Sequence, residues 1–81
     1  MPTSAPSPSV LRWRKDFGAR LRQLRRERNL SQETLAQLAA VDRKLIYRTE
    51  LGQTSPRLDA LVLIAKALGV DLAILVGPGL R

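Results

Sequence analysis

Eighty-one residues allow one small domain, near the size at which a hydrophobic core is only just sufficient. The absence of cysteine excludes disulfides and thiolate metal sites and suits a reducing compartment, and the absence of histidine removes the commonest general base and metal ligand. Fourteen Lys and Arg against seven scattered Asp and Glu leave a net charge of +7, which points to nucleic acid before an acidic membrane surface; with no glycine-rich phosphate loop, neither an enzyme nor a cofactor is expected.

The chain opens on Met1 to Ser9, with three prolines and three serines that cannot nucleate a helix. A flexible arm is expected over residues 1–9. It has no Arg or Lys for a minor-groove contact, and neither the charged start nor the apolar core of a signal peptide. Trp13, Phe17, Leu21 and Leu24 then recur at spacings of 4, 4 and 3, one helical stripe, so Val10 to Arg28 is predicted as the first helix. Asn29, which tolerates the left-handed conformation, ends it. Trp13 is placed over the core in preference to a dimer contact.

Ser31 caps a second helix, Gln32 to Ala39, with Leu35, Leu38 and Ala39 on one face. A three-residue turn, Ala40-Val41-Asp42, follows. Asp42 caps a third helix from Arg43 to Leu51, and Gly52 stops it. At about 100° per residue, Arg43, Lys44, Tyr47, Arg48 and Leu51 fall within an arc of about 140°, and Leu45, Ile46 and Thr49 fall opposite. One face is cationic with a tyrosine; the other can pack. Such a face suits guanine edges and the phosphates beside them, although from this helix alone a merely solvated face has an equal claim. Two short helices meeting at a tight turn fit the helix-turn-helix unit. Leu30 and Leu35 have the spacing of a hydrophobic staple, which Val41 with Ile46 and Val70 with Leu75 repeat. Thr34 stands where a capping box would have Glu.

Ser55 and Pro56 suit the cap and first position of a fourth helix running to about Leu68, where Gly69 stops it. Its apolar residues Leu58, Leu61, Val62, Ile64, Ala65 and Leu68 are expected in the core. Asp71 caps a short fifth helix, Leu72 to Val76, and residues 77–81 form a tail. Ala60 to Val76 is apolar but short for a membrane span, contains Lys66 and Asp71, and is interrupted by Gly69, so no membrane role is expected. Neither an internal repeat nor strand-like alternation is present. The charge is uneven: residues 1–30 hold eight cations against two carboxylates, while residues 31–56 balance at three each. The central motif is thus sorted by charge rather than basic overall.

The run from Arg22 to Pro56, with L-S-Q-E-T-L-A and D-R-K-L-I-Y-R-T-E-L-G in order, resembles the phage repressor and Cro-like (Xre-type) helix-turn-helix family, as does Leu61 to Val70. The resemblance covers about Phe17 to Val76, so Val10 to Asp16 looks like an N-terminal addition to the family domain, and residues 10–76 together form the expected DNA-binding domain. It implies an all-α, lambda-repressor-like bundle of about five helices that binds double-stranded DNA with its third helix in the major groove. It implies base contacts at Arg43, Lys44, Tyr47 and Arg48. Arg43 and Arg48 each suit a guanine, Lys44 a guanine or a phosphate, and Tyr47 a thymine methyl, a phosphate or packing over the second helix. Phosphate contacts are implied at Gln32 and Arg25, with Ser31, Gln53, Thr54 and Arg57 as weaker candidates. Arg25 matches the family arginine that pairs with a late third-helix glutamate, here Glu50.

Family members generally bind palindromes as two-fold dimers. With no coiled coil or separate dimerisation domain, the dimer surface is expected at Leu72, Leu75, Val76 and Leu80, with part of the fourth helix. Three positions depart from the family pattern. Ala40 replaces the usual turn glycine. Leu51 brings an apolar group to the outward arc, where it suits a partner contact. Thr49 replaces a larger apolar residue, which implies looser packing between the second and third helices. The expectation is a cytoplasmic, nucleoid-associated repressor or autoregulator from a bacterium or phage. The D-R-K-L-I segment resembles restriction–modification controllers. The alternative is a protein-interaction module, such as an antitoxin or controller partner, whose Tyr47 and Leu51 meet a toxin or RNA polymerase.

Overall fold

Five helices carry the chain: α1 Pro8–Glu27, α2 Gln32–Ala39, α3 Arg43–Glu50, α4 Leu58–Leu68 and α5 Leu72–Leu75. The structure, a computed structural model, describes residues 5–77. No strand occurs among them, and the fold is all-α.

Each of the first four helices ends in the same way. A residue in the left-handed region follows, namely Asn29 (φ 56°), Ala40 (φ 58°), Gly52 (φ 74°) or Gly69 (φ 73°). The next amide then reaches back to the last turn: Leu30 to the Arg25 carbonyl at 3.1 Å, Val41 to Ala36 at 3.0 Å, Gln53 to Arg48 at 2.9 Å and Val70 to Ala65 at 3.0 Å. These bonds satisfy carbonyls that a helix end leaves orphaned. Leu30, Val41 and Val70 act twice. Having closed one helix, each packs partly buried against the core as the next begins, and its staple partner (Leu35, Ile46 or Leu75) is fully buried. Ala40, where the family has its turn glycine, thus takes up the left-handed conformation itself, and the strain of about 1 kcal/mol is tolerated.

The core is assembled from Leu21 of α1; Leu35, Ala36 and Ala39 of α2; Ile46 of α3; Ile64, Ala65 and Leu68 of α4; and Leu75 of α5. α2 packs on both α3 and α4, and α1 lies across α3 and touches α5. Gly18 makes the α1–α3 crossing possible. A Cβ there would overlap the Thr49 carbonyl oxygen and stand 2.8 Å from that of Glu50. Thr49 is itself fully buried, with its hydroxyl unpartnered. Two arginines, one in α1 and one at its C-cap, fasten the far side. Arg20 Nε donates to the Ile74 carbonyl at 2.8 Å and Arg28 Nε to the Leu68 carbonyl, placing cations at the C-terminal ends of α5 and α4.

Several boundaries and burials differ from the sequence expectations. α1 starts at Pro8 rather than Val10, because Ser7 accepts from the Val10 amide and Pro8 takes the first turn, where its missing N–H costs nothing. α4 starts at Leu58 with Arg57 as an uncapped N-cap; Pro56 instead stays in the connector, half-buried and lining the same apolar hollow as Trp13. α3 and α5 each end one residue early. Trp13 is 53% exposed rather than in the core, because the first turns of α1 overhang the domain. Leu38, Leu58 and Val62 are exposed, lying at the edges of faces whose centres are filled by Leu35, Ala36 and Ala39 in α2 and by Ile64, Ala65 and Leu68 in α4.

Candidate nucleic-acid interface

α3 begins with the Asp42 carboxylate accepting from the Lys44 amide at 2.8 Å. Its helical repeat then buries Ile46, Thr49 and Glu50 and leaves Arg43, Lys44, Tyr47 and Arg48 exposed. These four side chains line one shallow surface hollow. Tyr47 is 48% exposed, so it belongs to this surface rather than to packing over α2. Leu51, 42% exposed, continues the face at the C-cap. The four side chains offer cationic donors and an aromatic hydroxyl side by side, the chemistry needed to meet base edges and phosphates.

Behind this face lies a charged clamp. The Glu50 carboxylate accepts from Arg25 Nε at 2.6 Å and Arg25 Nη2 at 2.9 Å. It also accepts from Gln32 Nε2 at 3.1 Å and, at the limit, from Arg22 Nε at 3.5 Å. Arg25 Nη1 donates to the Leu30 carbonyl at 2.8 Å, which draws the α1–α2 turn into the same network. Burial pushes the Glu50 carboxyl up, but the hydrogen bonds from Arg25, Gln32 and Arg22 outweigh it and hold the group below the ordinary range. The Glu50 hydrogen bond conversely raises Arg25, against its own burial. Both groups are charged, and three helices meet on one carboxylate.

The clamp bears on several expected roles. Arg25 is 9% exposed and turned inward on Glu50 and Leu30, the structural pairing expected of it. Arg22, absent from the sequence expectations, keeps a side chain 41% exposed beside Glu50; its place three residues before Arg25 was the available signal. The Gln32 amide donates to Glu50 while remaining at the first turn of α2. Ser31 caps that turn, accepting from the Thr34 amide at 2.9 Å. Gln53 and Arg57 are exposed, whereas Thr54 lines a separate apolar hollow with Trp13, Phe17 and Pro56.

The expected dimer surface needs a larger correction. Leu75 is fully buried, as its staple with Val70 requires, and cannot meet a partner. Leu72 is partly buried against the core. Val76, expected on that surface, is 38% exposed, as is its neighbour Ile74 at 47%. Leu80 lies outside the described residues. Among those residues, no group of three or more acidic side chains is placed to hold a metal, and no helix is long and apolar enough to cross a membrane.

The family profile described as a helix-turn-helix domain matches residues 16–74. Among solved structures, the restriction–modification controller protein C.AhdI from Aeromonas hydrophila is 40% identical over 76% of this chain and 94% of its own, with a TM-score of 0.75. An HTH_3 family transcriptional regulator from Vibrio cholerae is 27% identical over 82% of this chain, with a TM-score of 0.77, but only 37% of that protein is spanned. The clp gene regulator ClgR from Corynebacterium glutamicum is 25% identical over 78% of this chain and 67% of its own, with a TM-score of 0.73. No curated protein is significantly similar. With the profile covering most of the chain and the solved structures sharing its fold, this protein belongs to the helix-turn-helix family of DNA-binding transcription regulators.

Proposed function

We propose that the chain is a sequence-specific repressor or autoregulator that reads a palindromic double-stranded DNA site as a homodimer. The observation that carries this reading is the division of α3. Its inner face is locked by Ile46, Thr49 and the Arg25–Glu50 pair, and its outer face presents Arg43, Lys44, Tyr47 and Arg48 together. A rigid helix with clustered donors suits the major groove. Arg43 and Arg48 grip guanines, Lys44 and Tyr47 flank them, and Gln32, Ser31, Gln53 and Arg57 meet phosphates. The likeness to a restriction–modification controller favours control of such genes. The place of work is the cytoplasm, at the nucleoid.

The dimer surface that fits the exposures is Ile74 and Val76 with the overhanging start of α1, where Val10 and Trp13 rim an apolar hollow of about 260 Å³ floored by Phe17, Pro56 and Leu61. A second reading, contact with a toxin or RNA polymerase, is favoured by the exposure of Leu51 next to Tyr47.

Selection from random duplexes tests the first reading. Enrichment of a guanine-containing palindrome, lost in Arg43→Ala and Arg48→Ala, is expected. Each substitution should cost about 1–3 kcal/mol of discrimination. Weak binding without enrichment would instead favour the protein partner. Sedimentation with and without DNA tests the dimer, and a monomer throughout would remove it.

A further inference from the structure

We propose that Arg12, Lys15, Arg22 and Arg26 form a second DNA-binding element, a phosphate track along α1 that grips the backbone beside the site read by α3. The proposal rests on the DNA-binding reading above and extends its footprint.

The eight cations of α1 and its C-cap divide into two sets. Arg20, Arg25 and Arg28 turn inward to cap carbonyls or hold Glu50, and Arg14 has its Nε enclosed at the rim of the apolar hollow. The other four share one side. At about 100° per residue they lie within an arc of about 80° and extend for about 21 Å along the helix. Asp16 and Glu27, the α1 carboxylates, fall outside that arc. Cations kept merely for solubility would have no reason to exclude carboxylates from one strip of a helix while sharing its remaining surface.

The strip is also unspent. Among the described residues, Arg12, Lys15 and Arg26 are exposed and form neither an ion pair nor a side-chain hydrogen bond, and Arg22 has only its long contact with Glu50. Its position adjoins the reading helix. A Cβ on Gly52, just past α3, would stand 3.1 Å from the Lys15 Cα, and Arg22 reaches the last residue of α3. Phosphates on one strand advance about 3.4 Å along the duplex axis, so a strip of this length parallels several of them. Arg12 and Lys15 precede residue 16, where the family match begins, so half of the track lies outside the matched domain. The occupant is a regular polyanion, matched in charge and length, rather than an acidic protein.

The test uses the full chain, the selected site in a minimal duplex and the same site with about ten flanking base pairs on each side. The triple variant R12A/K15A/R26A spares Arg22, which touches Glu50, and leaves the α3 face intact. For the wild type, flanks should strengthen binding about tenfold at low salt. In the variant this gain should vanish, and the slope of log K against log salt should fall by about 2.7 per protomer, at about 0.9 per phosphate contact. Site preference and melting temperature should not change. An unchanged slope in the variant, with preference still lost in Arg43→Ala, overturns the track alone. Absence of any preferred site in the wild type overturns the DNA reading and the track with it.

Discussion

Gly18 of α1 lies so close to the Thr49 carbonyl of α3 that no side chain fits between them. A methyl group at Gly18 would meet the carbonyl oxygens of both Thr49 and Glu50, backbone atoms that cannot swing away. This contact sets how near α1 approaches α3, and hence whether Arg25 reaches Glu50. Gly18→Ala, although favourable for an isolated helix, should destabilise the domain by about 1–3 kcal/mol. Urea unfolding measures it, and an unchanged midpoint would mean that the crossing is looser than described.

Glu50→Gln should cost about 3–5 kcal/mol, because it leaves the Arg25 guanidinium buried against a neutral group. That is a large share of a small domain's stability. It should also weaken DNA binding by loosening the support of α3.

The same pair gives a pH signature. The folded Glu50 carboxyl titrates below its unfolded value of about 4.3. Its stabilisation is therefore complete above about pH 4.3 and is lost as pH falls through the folded value. Thermal melts between about pH 5 and pH 2 should show a steeper acid loss in the wild type than in Glu50→Gln. Parallel profiles would mean that the carboxylate is not held as described.

Thr49→Val should stabilise the protein by about 1 kcal/mol. The Thr49 hydroxyl is buried without a partner, and valine keeps the shape while removing the desolvated group. A loss of stability in urea would show that the hydroxyl finds a partner in solution.

Ala40→Gly should add about 0.5–1 kcal/mol, since glycine accepts a φ of 58° without the strain alanine bears, less some extra freedom in the unfolded chain. Chemical denaturation reads the change directly, and destabilisation would mean that the entropy term exceeds the strain.

Much of the fold is set within a few residues. A Ser or Asp before a helix, an Asn or Gly after it and an apolar pair spanning each start act locally, so α2, α3 and the turn between them were legible from the chain alone, as was the cationic outer face of α3. Where local rules misled, a neighbour decided. Pro56 has the credentials of a first helical residue, but it remains in the connector and lines the same apolar hollow as Trp13. Leu75 suits an exposed terminal helix by position and is buried by packing.

The arginines mark the division between the two levels most clearly. The sequence by itself determined that this is a small, basic, all-helical domain of the helix-turn-helix family whose third helix carries a cationic outer face. Periodicity and capping are properties of a single segment, and net charge is a property of composition. Only the tertiary structure decided which α1 cations face in and which face out. Arg22 and Arg25 stand three residues apart on the same helix, yet one is half-exposed and the other is enclosed by Glu50 and the Leu30 carbonyl. Guanidinium groups are alike in isolation. Their roles are set by the carboxylate, the carbonyls and the crossing helix that folding brings within hydrogen-bonding distance.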